Sequence, residues 1–366
     1  MTTPLFDLIR HEIAHDGPIT VARFMELALG HPEHGYYMTR DPFGLEGDFI
    51  TSPEITQMFG EMIGLWSVVV WQSMGRPDPV NVVELGPGRG TLMGDALRAA
   101  EADPDFMDAQ RLWLVETSPV LRDAQKKNLM QTMRMPAWRD SFAETGPGPL
   151  LVIGNEFFDA LPIRQYEKTA EGWRERLVGM NAAGDGLAFV LAPGAADETL
   201  IPETLRAEAE VGAVFEDQSA SRAVMTDIAK RVVEHGGAAL FFDYGHFEHG
   251  LGDTLQAVKD HEYADVLAEP GQADLTAHVD FQQLAEAARA AGAEVLGPLP
   301  QGAFLDHLGL RQRADMLMMH ADPDVVQVID GAYNRLTDPD QMGVLFKVMA
   351  VTRPGFAVPP WGGGEG

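Results

Sequence analysis

Apolar positions along this chain change their period near residue 80. Before it, Val21, Phe24, Met25, Ala28 and Leu29 recur at helical spacing, with Thr20 placed to cap them. Phe59, Met62, Ile63, Trp66 and Val70 mark another helix, entered at Thr51-Ser52-Pro53-Glu54 with Ser52 as cap and Pro53 first. A glycine- and proline-rich loop from His31 to Phe49 separates the two. From Val80 onward short β-rich runs take over: Val80–Leu85, Leu112–Val115, Leu150–Ile153, Ala239–Phe242 and Val344–Val348. Helical patterns at Pro119–Leu129 and Phe281–Ala291 lie between some of them. The alternation predicts an α/β fold with a doubly wound, mostly parallel sheet and helices on both faces.

Two stretches interrupt the alternation. Residues 163–192 read as antiparallel strands joined by glycine turns, residues 246–278 are rich in loop signals, and Leu305–Arg335 has a helical pattern. The expected organisation is a helical, lid-forming segment over 1–79, a first half of the core over 80–162 and an insertion over 163–236. A second half with cap elements follows over 237–353, and a disordered tail over 354–366.

Composition narrows the partners. With 366 residues, 45% of them hydrophobic and 22% charged, the chain has a sizeable core to bury. Fifty-five acidic residues against 27 Lys and Arg give a net charge of −28. Such a field repels phosphate backbones, which argues against nucleic-acid binding and favours a cationic partner. The absence of cysteine excludes disulfides, thiol nucleophiles and Cys-ligated zinc. His31-x-x-His34 and His246-x-x-His249 lack the carboxylates a metal site needs, so no metal is expected. The first residues do not form a secretory signal, and the run Met62–Trp71 is half the length of a membrane span. A soluble, cytoplasmic protein is the expectation; a homodimer stays open.

The chemistry concentrates after the strands. Glu84-x-Gly86-x-Gly88-x-Gly90 joins the first strand to a helix, and its glycines permit a tight turn and close approach of a ligand. A dinucleotide fingerprint places its third glycine three residues after the second, whereas here it comes two after. Glu84 beside the turn would repel a pyrophosphate but suits the ammonium and sulfonium of S-adenosylmethionine. Glu116 ends the second strand, where a carboxylate can accept hydrogen bonds from both ribose hydroxyls. Asp140-Ser141 follows a third candidate strand and could face an adenine amino group, although Asp-Ser is also ordinary turn chemistry.

The run Gly154-Asn155-Glu156-Phe157-Phe158-Asp159-Ala160-Leu161-Pro162 follows the next strand. If it forms a helical turn, Glu156 and Asp159 share a side and can grip a guanidinium through charge-assisted hydrogen bonds. Asp243 and Tyr244, with His278 and Asp280, are candidates to line the same cleft, and Tyr36, Tyr37 and Phe49 to cover it. A nicotinamide-dependent oxidoreductase and a non-catalytic assembly chaperone with a vestigial cofactor pocket are the alternatives.

Taken together, Leu85–Thr91, Asn155–Pro162, Asp243-Tyr244-Gly245 and Thr276–Phe281 resemble the MidA family, as do Gly47–Glu54 and Met342–Lys347. The resemblance implies a class I, Rossmann-like methyltransferase that uses S-adenosylmethionine. Mitochondrial members methylate an arginine on a subunit of respiratory complex I and serve its assembly; this chain, without a presequence, resembles a bacterial member. Carried onto these residues, the resemblance implies that Gly86, Gly88 and Gly90 wrap the methionine part of the cofactor. It also implies that Glu116 holds the ribose, Asp140 lies near the adenine, and Asn155 and Glu156 lie near the sulfonium. Placing Glu156 and Asp159 on the arginine is an inference from their charge alone.

Overall fold

A computed structural model describes residues 3–40, 51–132 and 134–362. The chain divides into two compact units. One comprises Met1–Pro42, Phe158–Ala223 and His246–Leu284, the other Phe43–Phe157, Val224–Gly245 and Ala285–Gly366. The expected boundary at residue 79 is therefore displaced. Residues before 42 join a later antiparallel sheet through Ile19–Thr20, which pairs with Val178 and Leu177. The apolar helix that follows packs instead into the core of the other unit.

That second unit is built on seven strands: β1 Val80–Leu85, β2 Gln110–Val115, β3 Ala137–Arg139, β4 Leu150–Asn155, β5 Gly237–His246, β6 Glu294–Pro300 and β7 Phe346–Thr352. Their order is β6-β7-β5-β4-β1-β2-β3. β1 runs parallel to β2 and β4, β2 to β3, and β4 to β5, while β7 is antiparallel to β5 and β6. Every residue of β1 and of β7 is buried, the pattern of strands covered on both faces. The chain leaves β1 toward β2 on one side and comes back to β4 on the other. Open sheets bind ligands at such a reversal, beyond the strands' carboxyl ends.

Helix α1, Gln57–Ser73, lies against helix α2, Thr91–Ala100, through two glycines. A Cβ on Gly64 would stand 2.2 Å from the Ala96 carbonyl oxygen, and one on Gly60 2.6 Å from the Asp95 Cβ. Ser52 is not the cap of this helix. It opens a separate turn, Ser52–Ile55, and Thr56, in extended conformation, caps α1 by accepting from the Met58 N–H. Nor are residues 354–362 disordered, while the last four residues of the expected tail lie outside the described ones. Phe356 and Val358 are buried in the main core, and the Trp66 indole donates to the Pro359 carbonyl at 2.9 Å. β6 escapes the sequence pattern because Gly297 and Pro298 interrupt it; an edge strand with a register shift between Leu296 and Leu299 tolerates both.

In the first unit, Arg164–Thr169, Gly172–Met180 and Leu187–Leu191 form antiparallel strands, as the glycine turns suggest, joined by Val214–Asp217. The loop-rich stretch contains a three-stranded sheet of Gln256–Lys259, Glu262–Ala264 and Asp274–Thr276. Thr20 does cap the helix Val21–Gly30, accepting from the Arg23 N–H.

Gly64→Ala forces α1 and α2 apart and should cost about 1–3 kcal/mol, read as a lower urea midpoint by near-UV circular dichroism. Gly331→Ala, within Pro323–Thr337 and with open space where its Cβ would go, should raise stability by about 0.5–1 kcal/mol.

Candidate active site

The turn after β1 is shaped by glycine. Gly86, Gly88 and Gly90 have φ of +57°, +53° and +81°, left-handed values that side chains resist. At Gly86 a Cβ would also come within 3.1 Å of the Phe157 ring. Gly90 enters α2, so the helix's free N–H groups begin at the turn.

Glu84 lies just before the turn and is buried. Its Oε2 finds no hydrogen-bond partner among the described residues, nor does the buried Oδ1 of Asn155 at the end of β4. Both residues line one cleft with Gly86, Gly88, Glu54 and Glu156. Burial first, then the charge of Glu116, holds the Glu84 carboxyl well above the usual carboxylate range. Burial of this kind favours the neutral form, and a cation beside the group favours the ionised one. A ligand bearing an ammonium supplies what these two oxygens lack.

Glu116, just past β2, is also buried. Its carboxylate accepts from the Ser118 N–H at 2.8 Å and from Gln125 Nε2 at 3.3 Å. Burial lifts it to about 6 against the lowering effect of those two bonds. The Asp140 carboxylate, by contrast, is largely exposed and bound by Arg122 at 2.6 Å. Ser141 is exposed and donates to Glu144. Neither lines the cleft of Glu84.

Glu156 has φ of +51°, an uncommon conformation for a residue with a side chain. Its N–H donates to the Phe242 carbonyl at 2.8 Å. Its Oε1 accepts from the Ser52 N–H at 3.2 Å and from Asn155 Nδ2 at 3.0 Å. The helical turn expected over Glu156–Asp159 is absent, because this left-handed residue breaks it. Asp243, fully buried, accepts from the N–H of Phe157 at 3.2 Å and of Tyr244 at 3.0 Å, so it holds the backbone beside Glu156. The Tyr244 ring packs edge-on to Phe346.

The remaining candidates belong to the first unit. Tyr36 is fully buried in its apolar core, with the Arg40 guanidinium 5.2 Å over the ring. Asp159 is buried, and its carbonyl accepts from the Ala277 N–H. The Tyr37 hydroxyl donates to Asp274 at 2.8 Å. Asp280 caps the helix Phe281–Ala290 by accepting from the Gln283 N–H and binds His249 Nδ1 at 2.9 Å. The N–H of His278 donates to Thr254, and its carbonyl accepts from Gln218. Phe49 and the run Gly47–Ile50 lie outside the described residues.

Three contributors escaped sequence reasoning. Gln125, fully buried in helix α3, Pro119–Leu129, donates to the Gly88 carbonyl at 2.7 Å as well as to Glu116, and accepts from the Trp138 indole. A lone glutamine among polar helix residues carries no signal. Glu54 accepts from the Thr91 hydroxyl at 2.5 Å and lines the cleft, and Ser52 supplies the N–H on Glu156. Both sit in a run that reads as a helix start and carries the family resemblance, neither of which assigns them a place in the cleft.

A family model for S-adenosyl-L-methionine-dependent methyltransferases matches residues 62–299. The chain is 37% identical to the Drosophila melanogaster homologue of the mitochondrial protein arginine methyltransferase NDUFAF7, over 94% of this chain and 83% of that protein. Identity to the Homo sapiens protein of that name is 36%, over 95% and 83%. A crystal structure from Burkholderia thailandensis, bound to S-adenosyl-homocysteine, superposes with a TM-score of 0.83 at 30% identity, covering 95% of this chain and 92% of that one.

Because Glu116 titrates near 6 when folded and near 4.5 otherwise, the folded chain holds a proton between those values that the unfolded chain has lost. Its contribution to stability is full below pH 4.5 and is lost as pH rises through 6, a total fall of about 2 kcal/mol. Denaturant titrations at pH 4.5 and 7 should show Glu116→Gln lacking that part of the wild-type decline.

Proposed function

The chain belongs to this family of S-adenosyl-L-methionine-dependent methyltransferases, and we propose that its acceptor is an arginine on a protein, a subunit of respiratory complex I, whose assembly it supports. Dependence on S-adenosylmethionine removes the nicotinamide alternative. The observation that carries the reading is the cleft itself, where Glu84, Glu54 and Glu156 meet around a glycine turn with two acceptor oxygens lacking partners. The two relatives named as protein arginine methyltransferases support the choice of acceptor.

When bound, S-adenosylmethionine supplies an electrophilic methyl group on a sulfonium. Glu84 and Asn155 are the residues proposed to take its ammonium, and Glu116 its ribose hydroxyls. Asp140 and Ser141 are kept as the adenine side of the site on their place after β3. Glu156, held by Ser52 and Asn155, would receive the guanidinium and draw its positive charge away from the attacking nitrogen. Asp159 is the second acid proposed for that role, on its charge and its place in the same run. Orientation supplies the larger share, up to about 7–11 kcal/mol of barrier in well-aligned cases. No described helix is long and apolar enough to cross a membrane; a cytoplasmic setting belongs to the proposal.

Gly88→Arg should abolish S-adenosyl-homocysteine binding by calorimetry while leaving far-UV circular dichroism intact. Glu156→Gln should lower arginine methylation by about 10²–10³-fold, the scale for losing one preorganised electrostatic contact, with cofactor affinity within threefold. Mass spectrometry of complex I subunits, with and without the gene product, tests the acceptor: no arginine differing in methylation would refute it.

A further inference from the structure

In the first unit, strand Leu187–Leu191 is bonded along one side to Gly172–Met180 and pairs with no other strand among the described residues. Its register sets Ala188 opposite Gly179. The same ladder continues beyond both ends of the strand, with the Asn181 N–H on the Gly186 carbonyl and the Ala192 N–H on the Glu175 carbonyl, each 2.8 Å. Antiparallel ladders alternate bonded and non-bonded pairs. The backbone groups of Gly186, Ala188, Val190 and Ala192 therefore face the partner strand. Those of Leu187, Phe189 and Leu191 point outward.

A groove of about 580 Å³ lies along this strand, touching Asp185 through Phe189 on one side and Phe6, Asp265 and Leu267 on the other. Side chains of a strand alternate between faces, so a hollow that meets three consecutive strand residues runs along the edge and not over one face. Across from the strand it is lined by Phe6 and Leu267, both buried. Its only charged lining residues are Asp185 and Asp265. The nearest cation over Phe189, Arg176 at 5.1 Å from the ring, is already paired with Asp253 at 2.6 Å and Glu167 at 3.1 Å.

We propose that this groove binds an extended, basic segment of a protein partner as an added strand. The outward N–H and C=O groups of Leu187, Phe189 and Leu191 pair with the segment's backbone, and Asp185 and Asp265 receive its arginine or lysine side chains. The assignment rests on the reading that the methyl acceptor is a protein, and gives that protein a second hold besides its reacting arginine.

The test uses the full chain without cofactor and a fluorescein-labelled peptide of alternating arginine and valine, followed by anisotropy at 150 mM salt. Phe189→Pro removes one outward N–H from an edge strand that tolerates proline, whereas Phe189→Ala removes only the ring. Binding should weaken at least tenfold in Phe189→Pro relative to Phe189→Ala. Leu191→Pro, which removes another outward N–H, serves if that variant fails to fold. Asp185→Asn with Asp265→Asn should weaken binding about tenfold, while the same charge change at the exposed Asp324 and Asp340 leaves it unchanged. A glutamate-valine peptide should not bind. Equal binding by both Phe189 variants overturns the proposal, as does equal weakening by the two aspartate pairs. So does sedimentation showing a dimer that Phe189→Pro breaks, since a second copy then fills the edge. If the peptide behaves as expected but no arginine is methylated, the groove stands and the acceptor assignment falls.

Discussion

A carboxylate at the end of a buried strand, next to a turn with no side chains, constrains everything around it. Glu84 cannot be solvated, and its Oε2 has no partner within the described fold. An ionised carboxylate in such a place costs several kcal/mol, so burial favours the protonated form. A cation in the cleft would favour the ionised form of Glu84. Glu116, raised to about 6 by its own burial, adds a second acid whose ionised form a hydroxyl-bearing ligand would favour. A diphosphate brings no positive charge that would favour the ionised form of either acid. The site thus discriminates by charge before shape enters.

Much of this was legible because the local signals agree. In Val80–Leu85 followed by Gly86, Gly88 and Gly90, a buried strand, left-handed turn residues and a helical pattern point to one arrangement, and the structure has it. Glu84 stands out as the charged residue in the run Val80–Leu85. Gln125 does not, because its importance lies in three simultaneous hydrogen bonds to groups distant in sequence. The tail misled for the opposite reason. Its glycines and prolines read as disorder, yet Phe356, Val358 and Trp361 pack against the core, which local propensity does not register.

The misreading at Glu156 is the more instructive. Acids three apart before an apolar run look like one side of a helical turn, and the expectation that Glu156 and Asp159 share a side depends on that geometry. The left-handed backbone at Glu156 removes it. A residue held this way costs roughly 1–3 kcal/mol and persists only where its surroundings over-determine it. Here they do. The Glu156 N–H is fixed on Phe242, the next N–H is fixed on the buried Asp243, and the carboxylate is gripped by Ser52 and Asn155. Two consecutive peptide units are thus tied to β5 and the side chain to β4 and a separate helical turn.

From this follows a division of labour between Glu156 and Asp243, which sequence alone assigns to one cleft. Asp243 has no exposure and receives two backbone N–H groups, so it holds the turn in place. Glu156 lines the cleft, and both donors on its Oε1 come from the protein itself. Its orientation is set before any ligand arrives. A carboxylate fixed in advance need not reorganise as charge shifts during methyl transfer, which is the condition under which electrostatic stabilisation is largest. The strain at one backbone position and the burial of Asp243 are two parts of the same device, and its product is a preoriented negative charge at the reversal point of the sheet.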